Sequence, residues 1–237
     1  MKKRGVSLSG FPNEPNLIIA FSGRKHGNMS LYYGETSEAL NNRRIFLSSL
    51  GIDYRDLVCA RQIHGDSIRY VTEEDRGSGA SAYGGSIADT DGFITDKKNI
   101  PISVFTADCL SVFIYDPLTP SIGLVHCGWR SSKARIISRA IGLMREKFNA
   151  RPDNLYAGFG SSIRGCCYEV SKDFKEYFSD GLREEGARLY LDLAEVNTKE
   201  LLVAGVKKEH ISLPRPVLSA ITTNSFLFAR KGLPVAE

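Results

Sequence analysis

Cysteine and histidine are scarce in this chain, and the scarcity narrows what it can be. The five cysteines are Cys59, Cys109, Cys127, Cys166 and Cys167. Their odd number and one adjacent pair argue against a disulfide framework and for reduced thiols. Only four histidines occur, His26, His64, His126 and His210, whereas a multicopper oxidase with a type 1 centre and a trinuclear cluster needs about ten imidazoles. No segment approaches the ~20 apolar residues that cross a bilayer. The start, MKKRGVSLSGFPNEPNLIIAF, has a basic tip but lacks the apolar stretch of about 7–15 residues of a secretory signal. The expectation is a cytoplasmic protein with no membrane partner. The net charge of +4 comes with no Lys/Arg run longer than KKR, so no nucleic-acid partner is expected, and a small anionic co-substrate is compatible.

What is present is ordinary for a folded chain: 237 residues, 42% hydrophobic and 24% charged, enough for one domain over residues 1–237 with a sizeable core. Helical periodicity appears in 36–50, where Ala39, Leu40, Phe46, Leu47 and Leu50 share a side and Gly51 stops the helix. It is clearest over 131–149, with Ile137, Ile141, Met144 and Phe148 in line and Ser131 or Ser132 as N-cap. A shorter helix fits 171–180. Strands are predicted at NLIIAF, SIRYVT, ISVFTA, LSVFIYD, SIGLVHC and LYAGF. DRGSGASAYGGS, residues 75–86, offers no side chains for a packed face and is expected to be a long mobile loop. Helices and strands mix without strict alternation, so the fold class is α+β, a layered mixed α/β sandwich.

The stretch FTADCLSVFIYDPLTPSIGLVHCGWRSS places Cys109 and His126 in two apolar runs. A hairpin turning on Asp116–Thr119 pairs Tyr115 with Pro120 and, by extension, Cys109 with His126, Cβ atoms roughly 5 Å apart on one face. The glycine, arginine and serines of CGWRSS, at the start of the strongest helix, read as an anion pocket. His64, at the close of a strand in CARQIHGDSIRY, is the candidate third ligand. Two imidazoles and a thiolate with an open fourth position match a catalytic zinc site. Taken bare, the same residues also fit a small buried thiol, a satisfied strand-end histidine and a surface-turn histidine.

Several stretches together resemble the YfiH or DUF152 family, once called multicopper polyphenol oxidases and now associated with purine nucleoside phosphorylase activity. They are GNMS (27–30), NRRIFLSSLGI (42–52), RQIHG (61–65), DTDGFIT (89–95), FTADCLSVFIYDP (105–117), GLVHCGWRS (123–131) and GFGSSIRGCCYEV (158–170). The resemblance implies the YfiH-like fold, related to that of cytotoxic necrotising factor. It implies metal ligands at His64, Cys109 and His126, with zinc as the cofactor and copper as a substitute. It also implies phosphate-dependent cleavage of adenosine, inosine, guanosine and methylthioadenosine, with adenosine deamination as a second activity. The partners expected are purine nucleosides and phosphate, bound by a monomer or homodimer.

Catalytic roles are expected of His64, Cys109 and His126, and of Asp108 as proton donor or acceptor at the purine. Arg130 and Arg24 are the phosphate candidates, and Gln62 and Asp91 the further substrate-binding candidates. The alternative readings are Gln62 as a partner for backbone groups and Asp91 as the cap of a turn. Tyr168 is either a purine-stacking or a core aromatic; Cys127, Cys166 and Cys167 are read as packing. Two departures stand out from the family pattern: Ser161 replaces a proline, and VLSAITTNSFLFARKGLPVAE keeps only Arg230 in place, with Phe228 where serine is expected. A metal-free hydrolase or deamidase, with His126 activating a Cys109 nucleophile, a copper-dependent polyphenol oxidase, and a non-catalytic zinc-binding protein are the competing readings.

Overall fold

A computed structural model describes residues 11, 12 and 14–212, and the backbone of 224–230. In chain order the strands are β1 (Leu17–Phe21), β2 (Val58–Cys59), β3 (Ile68–Tyr70), β4 (Gly92–Thr95), β5 (Ile102–Thr106), β6 (Leu110–Asp116), β7 (Ser121–Cys127), β8 (Tyr156–Phe159), β9 (Glu169–Val170), β10 (Leu182–Glu185), β11 (Arg188–Leu191), β12 (Ile211–Ser212) and β13 (Asn224–Arg230). The helices are α1 (Thr36–Ser49), α2 (Trp129–Lys133), α3 (Ile136–Phe148) and α4 (Leu193–Val203). All six strands predicted from the sequence are present. Helix α4, strand β4 and the β10–β11 hairpin were not anticipated. The buried face of α4 includes Asn197 and Glu200, which interrupts its apolar period, and β4, β10 and β11 have four residues each, too short to state one.

The architecture is a layered α+β sandwich. A four-stranded sheet, β1-β13-β5-β2, faces a six-stranded sheet, β12-β8-β6-β7-β4-β3. Side-chain alternation along the strands assigns each face. Ile19, Val58, Ile102 and Val104 of the first sheet meet Phe93, Phe113, Tyr115, Ile122 and Leu124 of the second. The opposite face of the second sheet presents Ile94, Val112, Ile114 and Val125 to Ile137, Ile141 and Met144 of α3 and to Leu193 and Leu201 of α4. A small sheet, β10-β11-β9, adds Leu189 and Leu191 to that core. On the outer face of the first sheet, Ile18 and Ala20 pack with Phe46 and Leu47 of α1. Among the described residues no helix is long and apolar enough to cross a membrane.

Three expectations are corrected. The β6–β7 hairpin pairs Asp116 with Ser121 and Ser111 with His126, two residues on from the predicted register. Asp116 stays in the strand because its carboxylate accepts the Leu118 and Thr119 amides at 2.8 and 3.2 Å, which moves the turn to 117–120. A two-residue slip leaves every side chain on its original face, so Cys109 and His126 still share one. The helix expected over 131–149 is two helices. Arg135 adopts left-handed φ 60° between α2 and α3, and Gly128 occupies the N-cap position. The segment 171–180 holds only a short 3-10 turn at Lys172–Glu176.

The loop 75–86 is docked, against the expectation of a mobile one. Arg43 of α1 is 3% exposed, and its guanidinium donates to the carbonyls of Met29, Gly79 and Ala80 at 2.7–2.9 Å. The loop backbone also gives the Cys59 amide an acceptor, Ser78 O at 2.8 Å. Polar backbone groups therefore do what side chains in this stretch cannot. The divergent tail contributes β13, hydrogen-bonded between β1 and β5; the rest of 213–237 and the basic N-terminal tip lie outside the described residues. Asn224 pairs with Thr106 at one end of the sheet and Arg230 with Leu17 at the other.

Replacing Arg43 by Ala leaves three interior carbonyls without a donor, at ~1 kcal/mol or more each. Denaturant unfolding of Arg43→Ala is expected to show a loss of about 3 kcal/mol, with new protease cleavage inside 75–86. Arg43→Lys, which lacks the planar fork, is expected to recover only part.

Candidate metal centre

Topology brings the predicted ligands to one end of the seam between the two large sheets. Strands β2 and β5 run parallel, so their continuations, carrying His64 and Cys109, leave the first sheet at the same end. In the second sheet His126 is the penultimate residue of β7, and its neighbour β4 begins one residue after Asp91, with Gly92 opposite Val125. His126 shares its face with Ile122 and Leu124, and Asp91 its face with Phe93, so both project into the seam. The ligand atoms of His64, Cys109 and His126 all lie within 4.8 Å of one another. His126 is 2% exposed, Cys109 is half-buried and His64 is exposed.

Asp91 is what holds this set together. It is 0% exposed, and its carboxylate accepts the amides of Ile63, His64 and Gly65 at 3.1, 2.9 and 2.8 Å and His126 Nδ1–H at 2.8 Å. Its own carbonyl accepts the His126 amide at 2.7 Å. Three successive amides converging on one oxygen pair bend the chain into left-handed φ 59° at His64, a conformation that costs about 1 kcal/mol for a non-glycine residue. Burial alone would push the Asp91 carboxyl up; the hydrogen bonds from His126, Gly65 and Ile63 outweigh it and hold the group below the ordinary carboxylate range. With Nδ1 fixed on a carboxylate, His126 has only Nε2 left for Cys109 or an ion, the arrangement that orients metal-bound histidines.

Without an ion the set is a charged pair. Burial raises the Cys109 thiol, but hydrogen bonds from His126 and His64 bring it down to about 6. Burial lowers His126, but hydrogen bonds to Asp91 and Cys109 lift it to about 9. Cys109 is thus a thiolate at neutral pH, the form that binds a metal. The donor set, one thiolate and two imidazoles with one of them exposed, suits a borderline-soft divalent ion with an open position. The backbone leaves room for it. A Cβ on Gly128 would stand 3.1 Å from His64 Cδ2 and 3.2 Å from Cys109 Sγ. Two hydroxyls near the ligands are buried without a partner, Thr106 Oγ1 and Ser111 Oγ; Ser111 stands directly opposite His126.

The other candidates divide. Asp108 and Arg130 are exposed beside the centre, Arg130 lying over the Trp129 ring at 4.4 Å. Tyr168 joins them: burial first, then the Cys109 and Asp108 charges, push its hydroxyl up against the opposing pull of Arg130. Its place at the rim is one the sequence left undecided. Arg24 follows β1, which runs parallel to β5 with β13 between, roughly 10 Å away, so it leaves the sheet at the same end. Gln62 is committed to backbone, donating to Phe105 O and accepting from Phe105 N at 2.9 and 2.8 Å. Asp91 has no carboxylate face left for a substrate. Cys127 is buried, whereas Cys166 and Cys167 are exposed, because their turn projects from the core. Arg230 sits at the far end of β13 from Thr106, about 20 Å of strand away. The sequence marked Asp91 only as a substrate-binding or turn-capping residue, and its role as the joint between β7 and the 63–65 turn came from partners distant in the chain.

The chain resembles known proteins in sequence and in fold. The family described as multi-copper polyphenol oxidoreductase laccase matches residues 19–228. Purine nucleoside phosphorylase YlmD of Geobacillus stearothermophilus is 32% identical over 194 residues, covering 78% of this chain and 71% of that protein. Adenosine deaminase RL5, from an unknown prokaryotic organism, is 27% identical over 194 residues, covering 78% of this chain and 74% of that protein. The crystal structure of YlmD from Geobacillus stearothermophilus superposes with a TM-score of 0.89 at 26% identity, over 98% of both chains.

Two outcomes test the centre. Removing the Asp91 charge takes away what keeps His126 protonated and so weakens its bond to the thiolate. The midpoint of Cys109 alkylation against pH in metal-stripped protein, expected at about 6, should therefore move up in Asp91→Asn, toward the ordinary thiol value. Gly128→Ala should displace the His64 ring and the Cys109 sulfur by tenths of an ångström. Titration against a chelator should then report metal affinity about 10-fold or more weaker, with unfolding little changed.

Proposed function

The chain belongs to the multi-copper polyphenol oxidoreductase laccase family, and from that premise we propose that it is a metal-dependent purine nucleoside phosphorylase. It would cleave adenosine, inosine, guanosine and methylthioadenosine with phosphate, and deaminate adenosine as a second activity. The observation that carries this reading is the cluster of His64, Cys109 and His126, its ligand atoms within 4.8 Å, in a chain that resembles proteins named for purine nucleosides. The four histidines are too few for laccase chemistry.

Zinc, or copper in its place, would be held by His64, Cys109 and His126 and would supply a Lewis acid and an activated water. The protein's own groups do the rest. Phosphorolysis breaks the bond from the sugar carbon to the purine nitrogen as a phosphate oxygen bonds to that carbon, so the exposed guanidinium of Arg130 holds the attacking phosphate and orients it. Arg24, leaving the sheet at the same end, is the second anion contact. Asp108, beside Cys109, exchanges a proton or hydrogen bond with the departing purine. Tyr168 would stack on the purine ring. Asp91 fixes His126 and the 63–65 turn, and so acts on the substrate only through them. The whole chain acts as one domain.

A second reading has one observation in its favour. The Asp91–His126–Cys109 chain, with its thiolate at about 6 and imidazole at about 9, is also what a metal-free cysteine hydrolase or deamidase needs. It does not need His64.

The test is release of adenine and hypoxanthine from adenosine and inosine by protein of known metal content. Release should require phosphate, follow metal occupancy at about one ion per chain, and fall about 100-fold or more in both Cys109→Ala and His64→Ala. Turnover that survives His64→Ala in metal-stripped protein transfers the assignment to the cysteine hydrolase. A metal-loaded protein that turns over no nucleoside overturns both the phosphorylase and the deaminase reading.

A further inference from the structure

Cys166 and Cys167 form a dithiol that the proposed chemistry does not use. Both are exposed, and the Cys166 S–H meets the Cys167 sulfur at 3.3 Å. They occupy a turn whose base is held firmly: Arg164 Nε contacts both oxygens of Asp192 at 3.2 and 3.1 Å, and the Gly165 amide reaches Asp192 Oδ2 at 3.3 Å. The turn itself is closed by Cys167 N–H and Tyr168 N–H on Arg164 O at 3.0 and 2.9 Å, with the Arg183 guanidinium on Gly165 O and the Glu169 amide on Cys167 O, each at 3.1 Å. The next residue, Tyr168, is the one whose hydroxyl feels the charges of Cys109, Asp108 and Arg130.

We propose that Cys166 and Cys167 are a reversible thiol–disulfide modification site whose closure re-aims Tyr168 at the rim of the metal centre. The co-reactant is a low-molecular-weight disulfide. A thiolate of the pair attacks one of its sulfurs and expels a thiol; the second cysteine sulfur attacks the mixed disulfide and expels the other. Two cysteine protons and two electrons leave, one S–S bond forms, and the oxidant ends as two thiols. Adjacent residues fix the two Cα atoms about 3.8 Å apart, shorter than the roughly 4.4–6.8 Å that a relaxed disulfide spans. The bond therefore cannot close without turning the 166–167 peptide. The part of the turn that must give is the pair of amide bonds to Arg164 O, since Arg164 and Gly165 are anchored to Asp192 on one side and the Tyr168 carbonyl accepts the Leu191 amide at 3.0 Å on the other. A strained, exposed disulfide is also easily reduced, which makes the change reversible. The inference rests on this geometry and not on the reaction proposed above.

The experiment treats the whole protein with oxidised glutathione, digests it under denaturing, thiol-blocked conditions and follows the Gly165–Lys172 peptide by mass. Backbone amide exchange is followed in parallel. Support is a Gly165–Lys172 peptide lighter by two hydrogens and restored by a dithiol reductant, together with exchange of the Cys167 and Tyr168 amides at least about 10-fold faster in the oxidised protein. The double variant Cys166→Ser, Cys167→Ser should show neither change. A glutathione adduct that never resolves into the ring overturns the site. Ring closure that leaves both amides as protected as before overturns the coupling to Tyr168. Neither readout depends on nucleoside turnover, so failure of the phosphorylase reading would leave this outcome interpretable.

Discussion

A single buried carboxylate governs the geometry of the metal centre. Asp91 takes three amides from the 63–65 turn and one imidazole nitrogen from β7, so it ties the loop leaving one sheet to the strand end of the other. A charge at 0% exposure is tolerated only because four donors replace its water. The same donors set the left-handed turn at His64 and choose the His126 tautomer. Ligand position, ligand protonation and backbone conformation are therefore one interaction seen from three sides.

The sheets supply the rigid walls around that interaction. Their facing surfaces are filled by Ile19, Val104, Phe93, Phe113 and Leu124, and the polar residues begin only where these run out, at one end of the seam. The apolar packing fixes the sheet separation, and the separation fixes how far His64 and Cys109 stand from His126. Interiors at this density do not adjust gradually, which suits a site whose ligands must be placed to tenths of an ångström. Two polar devices extend the rigidity outwards. Gln62 pairs with both backbone groups of Phe105, joining the His64 strand to the Cys109 strand, and Arg43 binds the 75–86 loop through its carbonyls.

The rim is built differently. Asp108, Arg130 and Tyr168 come from three separate turns and helices and are exposed or only partly buried. Buried ligands on strand ends and adaptable polar groups on loops divide the labour: the first hold geometry, and the second meet whatever enters. The exposed Cys166–Cys167 turn belongs to this softer part of the molecule.

Local pattern carried much of this in the sequence. Alternation and apolar runs located β1, β3, β5, β6, β7 and β8, and the 3.6-residue period located α1 and α3, because these elements carry enough apolar side chains to state their own period. Scarcity also spoke clearly, since four histidines exclude a multicopper cluster, and the chemistry of Cys109, His126 and His64 made them candidates before any coordinates. What no local pattern could carry was decided by partners distant in the chain. The hairpin register depended on which amides Asp116 captured. The break at Arg135, in left-handed φ 60° between α2 and α3, has no glycine to announce it. The role of Asp91 depended on three amides 26–28 residues earlier and an imidazole 35 residues later. The sequence determined which chemical groups were present and which face each strand would bury; only the packing of two sheets decided which of those groups would meet.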